Sequence, residues 1–556
     1  MGGKNYRRPA GPVEPSRSAW PKPKVSPLPL STRLLAYGAI LGASILVYLP
    51  TLHFRFISWD DTGYVLQNPW IRSWSVENLI HIFTKTYYVS YMPLQLVSYT
   101  VDHSLWGLNP FGYHLQEVLL NAINGVLSFI IVRRLFGSVP MALLAALLFA
   151  VHPAQVETVA WISSRKEALA ATFMLLSLYS YLIARGEKTL RWGPYAASVA
   201  FFALAVLAKV SAAVLPLFLL LIDLVYVRGP RRDFGFWVQA LGSKVPFGLM
   251  GLWVAVMNWI SQPRSNATYV NEPSRYLMVK GHAVWKYLEL LTGIPKGIPV
   301  YDNPHLPRDV PTAIVNLAGL VLLPAIVWFA YRRRARTLTL GTAWLFIMLL
   351  PALLFPVVTY VAERYLYTPS LGFCWLMAAG IVALGDRART PARRVGITLA
   401  LAAVPLAGFT YRTVDYCRIW ANSETFWTYA TQHTADFRAW NNLAKLRLDE
   451  NRLADAERYF ATGARQPNSM SFEGLTVVYY KSGRYAEALQ TIQKGFDVLA
   501  QMGNDPAGRA ELYFKRGAVL WMMSRRDEAN QSWEETLRLN PEHAGARKAL
   551  AGTPGH

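Results

Sequence analysis

Apolar runs long enough to cross a bilayer recur along the first three quarters of the chain, and they restrict its fold more than any other feature. A spanning helix needs roughly 20 largely apolar residues. Of the 556 residues 53% are hydrophobic and only 16% are charged, whereas a soluble chain is about one quarter charged. We therefore predict eleven membrane spans, at 33–51, 114–132, 139–152, 168–184, 193–208, 211–227, 245–261, 312–330, 339–358, 369–384 and 395–411.

Basic residues dominate the charge balance, with 56 Lys and Arg against 34 Asp and Glu and a formal net charge of +22. They gather in the N-terminal tail and in the short connectors that contain Arg133 and Arg134, Arg185 to Arg191, Arg228 to Arg232, Arg332 to Arg336 and Arg387 to Arg394. The positive-inside rule places these segments in the cytoplasm. An odd number of spans then places the C-terminal part outside, in a periplasm or lumen. Because topology accounts for most of the charge, nucleic acid is not an expected partner.

The N-terminal residues 1–32 are Pro-rich and basic, and an apolar run follows them. No small-residue cleavage site of the signal-peptide type occurs before Phe54. We predict a disordered cytoplasmic tail that leads into a signal-anchor helix. Cys374 lies within a predicted span and Cys417 follows another, so the two cysteines indicate no disulfide framework.

Two loops on the predicted non-cytoplasmic side are long, at 52–113 and 262–311. The apolar stretch 276–294 in the second loop is interrupted by four polar residues, Lys280, His282, Lys286 and Glu289. Charges at this density are costly in the hydrocarbon core. The pattern therefore favours an interfacial or re-entrant helix over a lipid-exposed span.

The membrane domain is predicted to cover 33–415, followed by a linker at 416–436 and a soluble helical domain at 437–550. A small residue recurs in similar surroundings at Ala456, Ala488 and Ala529, at spacings of 32 and 41 residues. Tetratricopeptide units are about 34 residues long and place a small residue between paired helices and a Pro after the second helix. Pro467 and Pro541 fit that last position. We predict about three such repeats.

Asp60 and Asp61 follow the first predicted span on the outer side. Adjacent carboxylates point in different directions, so they are not a facing pair of the glycosidase type. One of them could accept a proton from a hydroxyl while the other orients it or binds a divalent cation. The alternative is a helix N-cap in an interfacial turn.

A second group of ionisable residues lies where the chain passes from the third predicted span to the fourth, and contains His152, Glu157, Arg165, Lys166 and Glu167. Ionisable residues at membrane depth often line a functional cavity, although interfacial pairing is the alternative. A guanidinium is a frequent partner of phosphate, which singles out Arg165.

Two further outer turns carry charge. Glu363 and Arg364 could form a local ion pair, and Lys209 could be a snorkelling anchor. Four separate turns nevertheless bring charged groups to one face. Acids together with several cations suit a reaction between a hydroxyl nucleophile and a phosphate leaving group.

Five segments then occur in the order found in a known family: FISWDDTGYVLQNP, HPAQVETVAWISSRKEAL, LPLFLLLIDL, AERYLYTPSLG and WANSETFWTYATQHTADFRAWNNLA. Over about residues 33–545 the chain resembles the transmembrane and tetratricopeptide-repeat O-mannosyltransferases and their bacterial relatives. These belong to the type C glycosyltransferases (GT-C). The resemblance implies an all-α fold, with a polytopic GT-C domain followed by a helical solenoid.

The resemblance also implies a mechanism. Asp60 or Asp61 would be the general base, and Arg165 and Arg364 would hold the donor phosphate. His152 and Glu157 would shape the sugar or phosphate pocket. Relatives often carry Lys-Glu where this chain has Lys209–Val210, which leaves Lys209 as a weaker candidate ligand. No cofactor is implied beyond a divalent cation at the two aspartates.

The implied substrates are a polyprenyl-phosphate-linked hexose, such as mannose, and a Ser/Thr hydroxyl of an exported polypeptide presented by the repeats. The implied location is a bacterial inner membrane, with the N-terminus cytoplasmic and the repeats periplasmic. The repeat array is shorter than in animal members, so the sugar and the acceptor stay open. The alternatives are a membrane-anchored repeat scaffold, a transporter with an adaptor tail, and a GT-C enzyme that modifies an envelope lipid or glycan.

Overall fold

A computed structural model describes residues 26–88, 90–185, 190–226, 234–261, 272–302, 309–355, 359–502 and 505–552. Within these ranges the chain is helical and contains isolated β-bridges but no strand. Most of the predicted tail, part of the loop 262–311, and the basic residues Lys188, Arg228, Arg231 and Arg232 lie outside the described residues. The all-α class predicted from the sequence is confirmed.

The chain divides into two compact units. The first comprises 1–54, 63–297 and 305–417, and the second comprises 55–62, 298–304 and 418–556. The helices of the first unit are α1 Leu30–Tyr48, α2 Val76–Thr84, α3 Pro93–Trp106, α4 Pro110–Phe136, α5 Val139–Ala150, α6 Val156–Ala160, α7 Arg165–Ala184, α8 Trp192–Ala208, α9 Leu215–Tyr226, α10 Phe234–Gly242, α11 Val245–Ser261, α12 Pro273–Leu291, α13 Val310–Arg332, α14 Arg336–Leu354, α15 Pro369–Gly385 and α16 Pro391–Cys417.

Each of the eleven predicted spans coincides with a helix. Among the described residues, six helical segments are long and apolar enough to cross a membrane. Two further pairs of helices are each bent at a short break, and the number rises to eight if each bent pair is counted as one span. Three shorter apolar helical segments, 192–208, 210–226 and 369–385, fall below that length. The first unit is therefore that of an integral membrane protein, while the count of eleven spans stays a prediction.

The polar-interrupted stretch of the second long loop forms α12, which is not among the candidate spans. The ammonium of Lys280 donates to the carbonyl oxygens of Ala352 at 2.7 Å and Phe355 at 2.9 Å, at the C-terminal end of α14. A cation there satisfies carbonyls that have no partner within the helix. Burial lowers the pKa of Lys280 to about 8.

Glycines allow close helix contacts in the first unit. A Cβ at Gly281 of α12 would overlap the backbone oxygen of Asn316 in α13, and one at Gly372 of α15 would overlap the backbone oxygen of Gly341 in α14. Helices in membranes associate largely through van der Waals contact, which small residues permit. The close contacts between α12 and α13 and between α14 and α15 therefore require glycine at these positions.

A buried ionic cluster ties α7, α9 and the start of α11. The Asp223 carboxylate is fully buried, accepts from Arg185 at 2.7 and 2.8 Å, and accepts from Lys244 at 2.7 Å. The Tyr181 hydroxyl donates to the same carboxylate at 2.8 Å. Arg185, predicted as a topology marker, is thus also a packing residue. Asp223 belongs to the LPLFLLLIDL segment.

The second unit contains α17 Ser423–His433, α18 Phe437–Asp449, α19 Leu453–Gly463, α20 Ser469–Lys481, α21 Tyr485–Met502, α22 Pro506–Met522, α23 Arg526–Leu539 and α24 Ala544–Ala551. The three recurring small residues, Ala456, Ala488 and Ala529, are all fully buried in apolar clusters between helices. The predicted linker 416–436 contains a helix, α17. The tetratricopeptide assignment itself stays a prediction.

Replacing Gly281 or Gly372 by alanine should destabilise the first unit, because the added methyl group meets backbone that cannot rotate away. Overpacking of this kind costs about 1–3 kcal/mol. Thermal unfolding of the detergent-solubilised protein, followed by size exclusion, measures the effect. Gly380→Ala is the matched control, since a Cβ there meets nothing within 4 Å. Equal melting of all three variants would contradict the close-contact interpretation.

Candidate active site

The segment between α5 and α7 is broken into short helical turns that are buried almost throughout. The axis bends by 52° between α5 and the following turn, which begins at Pro153. His152 lies at the bend, fully buried, and its Nδ1 accepts from the backbone N–H of Ala154 at 3.1 Å. Its Nε2 then carries the proton and donates to the carbonyl of Leu291 at 3.0 Å. His152 therefore fixes the bend and the end of α12.

Arg165 begins α7 and is fully buried. Its Nε donates to Glu117 of α4 at 2.6 Å, and its Nη1 pairs with Asp102 of α3. Its Nη2 donates to the carbonyl of Tyr113 at 2.9 Å, and the Tyr99 ring centroid lies 4.6 Å from its Cζ. One guanidinium thus joins three helices.

These contacts bear on the phosphate role predicted for Arg165. Asp102 and Glu117 are themselves nearly inaccessible, with side-chain exposures of 3% and 0%. Two carboxylates around one guanidinium leave the triad with a net negative charge when all three are ionised. To bind Arg165, a phosphate would have to displace one carboxylate, and the negative charge of the other carboxylate would repel the phosphate. The phosphate contact of Arg165 stays a prediction, and its partners compete with it.

Arg364 lies in the loop between α14 and α15 and faces the broken segment. Its Nη1 pairs with Glu157, whose second carboxylate oxygen accepts from the Arg364 backbone N–H at 2.8 Å. The rings of Trp161 and Tyr365 lie 5.5 and 5.0 Å from its Cζ. Burial disfavours the charged form of Arg364, but the Glu157 carboxylate outweighs burial and holds its pKa above the ordinary value.

Lys209 follows α8, pairs with Glu167 of α7, and places its ammonium 5.0 Å from the Tyr365 ring centroid. Arg364 and Lys209 therefore approach the same aromatic ring. Each keeps some contact with solvent, with side-chain exposures of 14% and 15%, whereas Arg165 has none. We call this group the two-cation cluster: Glu157, Arg364, Tyr365, Lys209 and Glu167.

Glu363 does not form the local pair with Arg364 that the sequence made possible. It is buried and accepts from the Tyr416 hydroxyl at 3.3 Å. Its carboxylate lies close to Gly297, where an added Cβ would require the carboxylate to shift. The two adjacent residues therefore have different partners: Glu363 contacts Tyr416, and Arg364 pairs with Glu157.

Asp60 and Asp61 belong to the second unit and differ in exposure. Asp61 is buried, and its Oδ2 accepts from the backbone N–H of Ile57 at 2.9 Å. Asp60 is half-buried. Their loop is fastened to α17, because the Ser58 N–H donates to the Ser423 hydroxyl at 2.7 Å and the Trp59 ring lies 5.4 Å from Trp427. The predicted convergence of these aspartates with the cations stays a prediction.

No group of three or more His, Cys, Asp or Glu side chains forms a metal-ligand cluster within the described ranges. The divalent cation at Asp60 and Asp61 stays a prediction of the sequence.

Sequence reasoning missed the two acidic partners of Arg165, namely Asp102 and Glu117. One signal was available. Glu117 lies inside a predicted span, where an ionisable residue is expected to have a partner. The identity of that partner depends on which helices pack together, and the linear sequence does not give it.

Comparison with known proteins supports the motif-based resemblance. The family model described as dolichyl-phosphate-mannose-protein mannosyltransferase matches residues 98–250. The mouse protein O-mannosyl-transferase TMTC3 is 25% identical over 505 residues, which cover 82% of this chain and 54% of that protein. The human protein O-mannosyl-transferase TMTC1 is 25% identical over 501 residues, covering 77% and 55%. The chain is related by sequence to the protein O-mannosyl-transferases.

The predicted resemblance to this family is therefore confirmed, and it extends well beyond the segment that the family model matches. A shorter stretch of 107 residues is 39% identical to the mouse protein O-mannosyl-transferase TMTC2, covering 19% of this chain and 13% of that protein. The chain spans about half the length of the curated relatives that it matches over most of its own length.

Two solved structures are similar to this chain, both with low TM-scores. ArnT from Cupriavidus metallidurans, bound to undecaprenyl phosphate, has a TM-score of 0.38 and 15% identity, over 91% of this chain and 92% of that one. The Archaeoglobus fulgidus oligosaccharyltransferase, tethered to an acceptor peptide, has a TM-score of 0.38 and 12% identity, over 75% and 59%.

Arg165→Gln should destabilise the first unit strongly, because Asp102 and Glu117 would stay buried without their cation. Removing one partner of a buried pair typically costs about 3–5 kcal/mol. The yield and thermal stability of the solubilised protein measure the loss. Arg387→Gln, at an exposed position, is the control for the change of charge. A normally folded Arg165→Gln protein would contradict the structural role.

Proposed function

We propose that the chain transfers a hexose from a polyprenyl-phosphate donor to a Ser/Thr hydroxyl of an exported polypeptide. The observation that carries the proposal is the two-cation cluster. Two cations, each balanced by one carboxylate and each still in contact with solvent, approach the ring of Tyr365. The sequence relatives, named as protein O-mannosyl-transferases, supply the reaction class.

The leaving group explains the need for cations. Breaking the bond between the sugar C1 and the phosphate oxygen leaves both bonding electrons on that oxygen, so the negative charge of the polyprenyl phosphate increases. Arg364 and Lys209 would bind the donor phosphate and stabilise the added charge. Glu157 and Glu167 would hold the two cations until the donor arrives.

The acceptor needs a base, since a Ser or Thr hydroxyl is a poor nucleophile. Asp60 would take the hydroxyl proton as the oxygen attacks C1 from the face opposite the phosphate, which inverts that carbon. Its half-exposed carboxylate is better suited to this step than Asp61, which is buried and bonded to the backbone of its own loop. Asp61 would keep the loop in shape, with or without a divalent cation.

Arg165, His152 and their partners would act indirectly. The Arg165 triad fixes the start of α7, which carries Glu167, and His152 fixes the bend that precedes Glu157. These residues would position the two acids of the two-cation cluster without touching the donor. The phosphate would instead contact Arg364 and Lys209, which remain partly accessible.

The membrane side follows from the basic connectors. The turns that carry the cluster would face the periplasm of a bacterial inner membrane, with the N-terminus in the cytoplasm. The helices of the second unit would lie on the periplasmic side and present the polypeptide acceptor. Mannose is the sugar favoured by the names of the relatives, and another hexose would fit the same chemistry.

Asp60→Asn should reduce sugar transfer by about 10²–10⁴-fold, the usual contribution of a general base. Asp61→Asn should reduce it less, because an amide oxygen can still accept from the Ile57 N–H. Radiolabelled polyprenyl-phosphate mannose, offered with candidate exported proteins to the purified protein, measures both transfer and donor hydrolysis.

Asp527→Asn, on the exposed surface of α23, is the matched control for these variants. Undiminished transfer in the Asp60 and Asp61 variants would remove the assignment of the base. No turnover by the folded protein with a broad donor panel would instead favour a non-enzymatic scaffold. Transfer only to an envelope lipid or glycan would favour that acceptor class over polypeptide.

Arg364→Gln and Lys209→Gln should each lower kcat/KM for the donor by about 10- to 100-fold, the range expected when one charge-assisted hydrogen bond is lost. Both substitutions should lower thermal stability less than Arg165→Gln does, because each removes a partly exposed cation, whereas Arg165 is fully buried. Initial rates at varied donor concentration measure the effect. If Arg364→Gln and Lys209→Gln both leave kcat/KM unchanged, the phosphate assignment is wrong.

A further inference from the structure

A groove lies between α21 and α22 of the second unit. Ile492 and Leu520 lie buried beneath it, and its accessible apolar surface comes from Leu489 and from the rings of Phe496 and Tyr513, whose centroids are 4.6 Å apart. The groove is open to solvent along these helices. A surface of this composition offers contact area for apolar side chains of a partner.

Three arginines line the same groove, Arg509, Arg516 and Arg525, and no Asp or Glu is among its described lining residues. Arg525 is already held by Glu528, through hydrogen bonds of 2.6 and 2.7 Å. Arg509 and Arg516 make no side-chain ion pair within the part of the chain that the structure describes. Two guanidinium groups are therefore available to an anionic partner.

The spacing of the two available arginines limits the partner. Seven residues along a helix correspond to about 10.5 Å and nearly two turns, so Arg509 and Arg516 lie on one face of α22. In a polyproline II segment, which has three residues per turn, residues three apart lie on one face and are separated by about 9 Å. Tyr513 lies between the two arginines on that face, beside Phe496.

We infer that this groove binds an acidic segment of a polypeptide in the polyproline II conformation, with two carboxylates three residues apart and apolar or aromatic side chains between them. Each carboxylate accepts from one guanidinium, and the side chains between them pack on Phe496 and Tyr513. The inference rests on the proposed function only in that the bound polypeptide is the acceptor.

The aromatic pair disfavours a phospholipid headgroup. The two arginine side chains could converge on one phosphate, but a headgroup would leave the rings of Phe496 and Tyr513 without a contact. A peptide satisfies both features with one extended segment.

Binding to the full-length protein in detergent tests the inference, with fluorescence anisotropy as the readout and no sugar donor present. The probe is a labelled peptide that contains one Asp-Tyr-Leu-Asp segment. The comparison peptides carry Asn in place of each Asp, or the same residues reordered so that the acids are adjacent. The first peptide should bind about tenfold more tightly than either comparison peptide.

The double variant Arg509→Gln/Arg516→Gln should abolish this preference. Lys445→Gln/Arg465→Gln, which removes two exposed cations elsewhere in the unit, should retain it. Added salt should weaken the preference, since exposed charges are screened beyond about 10 Å at 0.1 M. Circular dichroism melting of each variant verifies that the helices are intact.

Equal binding of the acidic and amide peptides would overturn the inference, and so would an equal loss in the two double variants. Vesicles of phosphatidylglycerol provide the last arm. Vesicle binding that the groove variant loses, without any peptide preference, would assign the arginines to the membrane and overturn the peptide assignment. Because no donor is present, a failure here is distinct from a failure of sugar transfer.

Discussion

The buried guanidinium of Arg165 is the contact on which the first unit most depends. It joins α3 through Asp102, α4 through Glu117 and the start of α7 through its own backbone. Taking a guanidinium and two carboxylates out of water costs several kcal/mol for each ion, and only complete pairing offsets that cost. The three helices are therefore held in one arrangement, since any other would leave a buried charge without a partner.

This arrangement explains why the charged turns of the first unit have different roles. His152 and Arg165 use their polar atoms within the fold, so they determine the positions of neighbouring segments. Among the described residues Arg364 and Lys209 each form one ion pair and keep some exposure, so a phosphate can compete for them. Tyr365 brings the two cations to one place, and the short turns around Glu157 supply the acid that faces them.

Much of the fold was predictable, because apolar runs report helices in a membrane directly. All eleven predicted runs coincide with helices, and the polar-interrupted stretch at 276–294 forms α12. The candidate site was predictable only in part. Residue types and motif order pointed to Arg165 before Lys209, whereas the structure leaves Lys209 accessible and encloses Arg165. Which of the two cations stays accessible depends on how many acidic partners surround each one, and that number is determined by helix packing.

The same distinction between satisfied and available cations applies in the second unit. Several of its arginines pair with an acid three residues away in the sequence, as Arg525 does with Glu528. Such pairs contribute little to stability, but they neutralise the surface. Arg509 and Arg516 form no ion pair with an acid among the described residues, and they also flank the aromatic lining of a groove. A site for an anionic partner needs charge that the protein has not already balanced, so these two arginines determine where an acidic segment would bind.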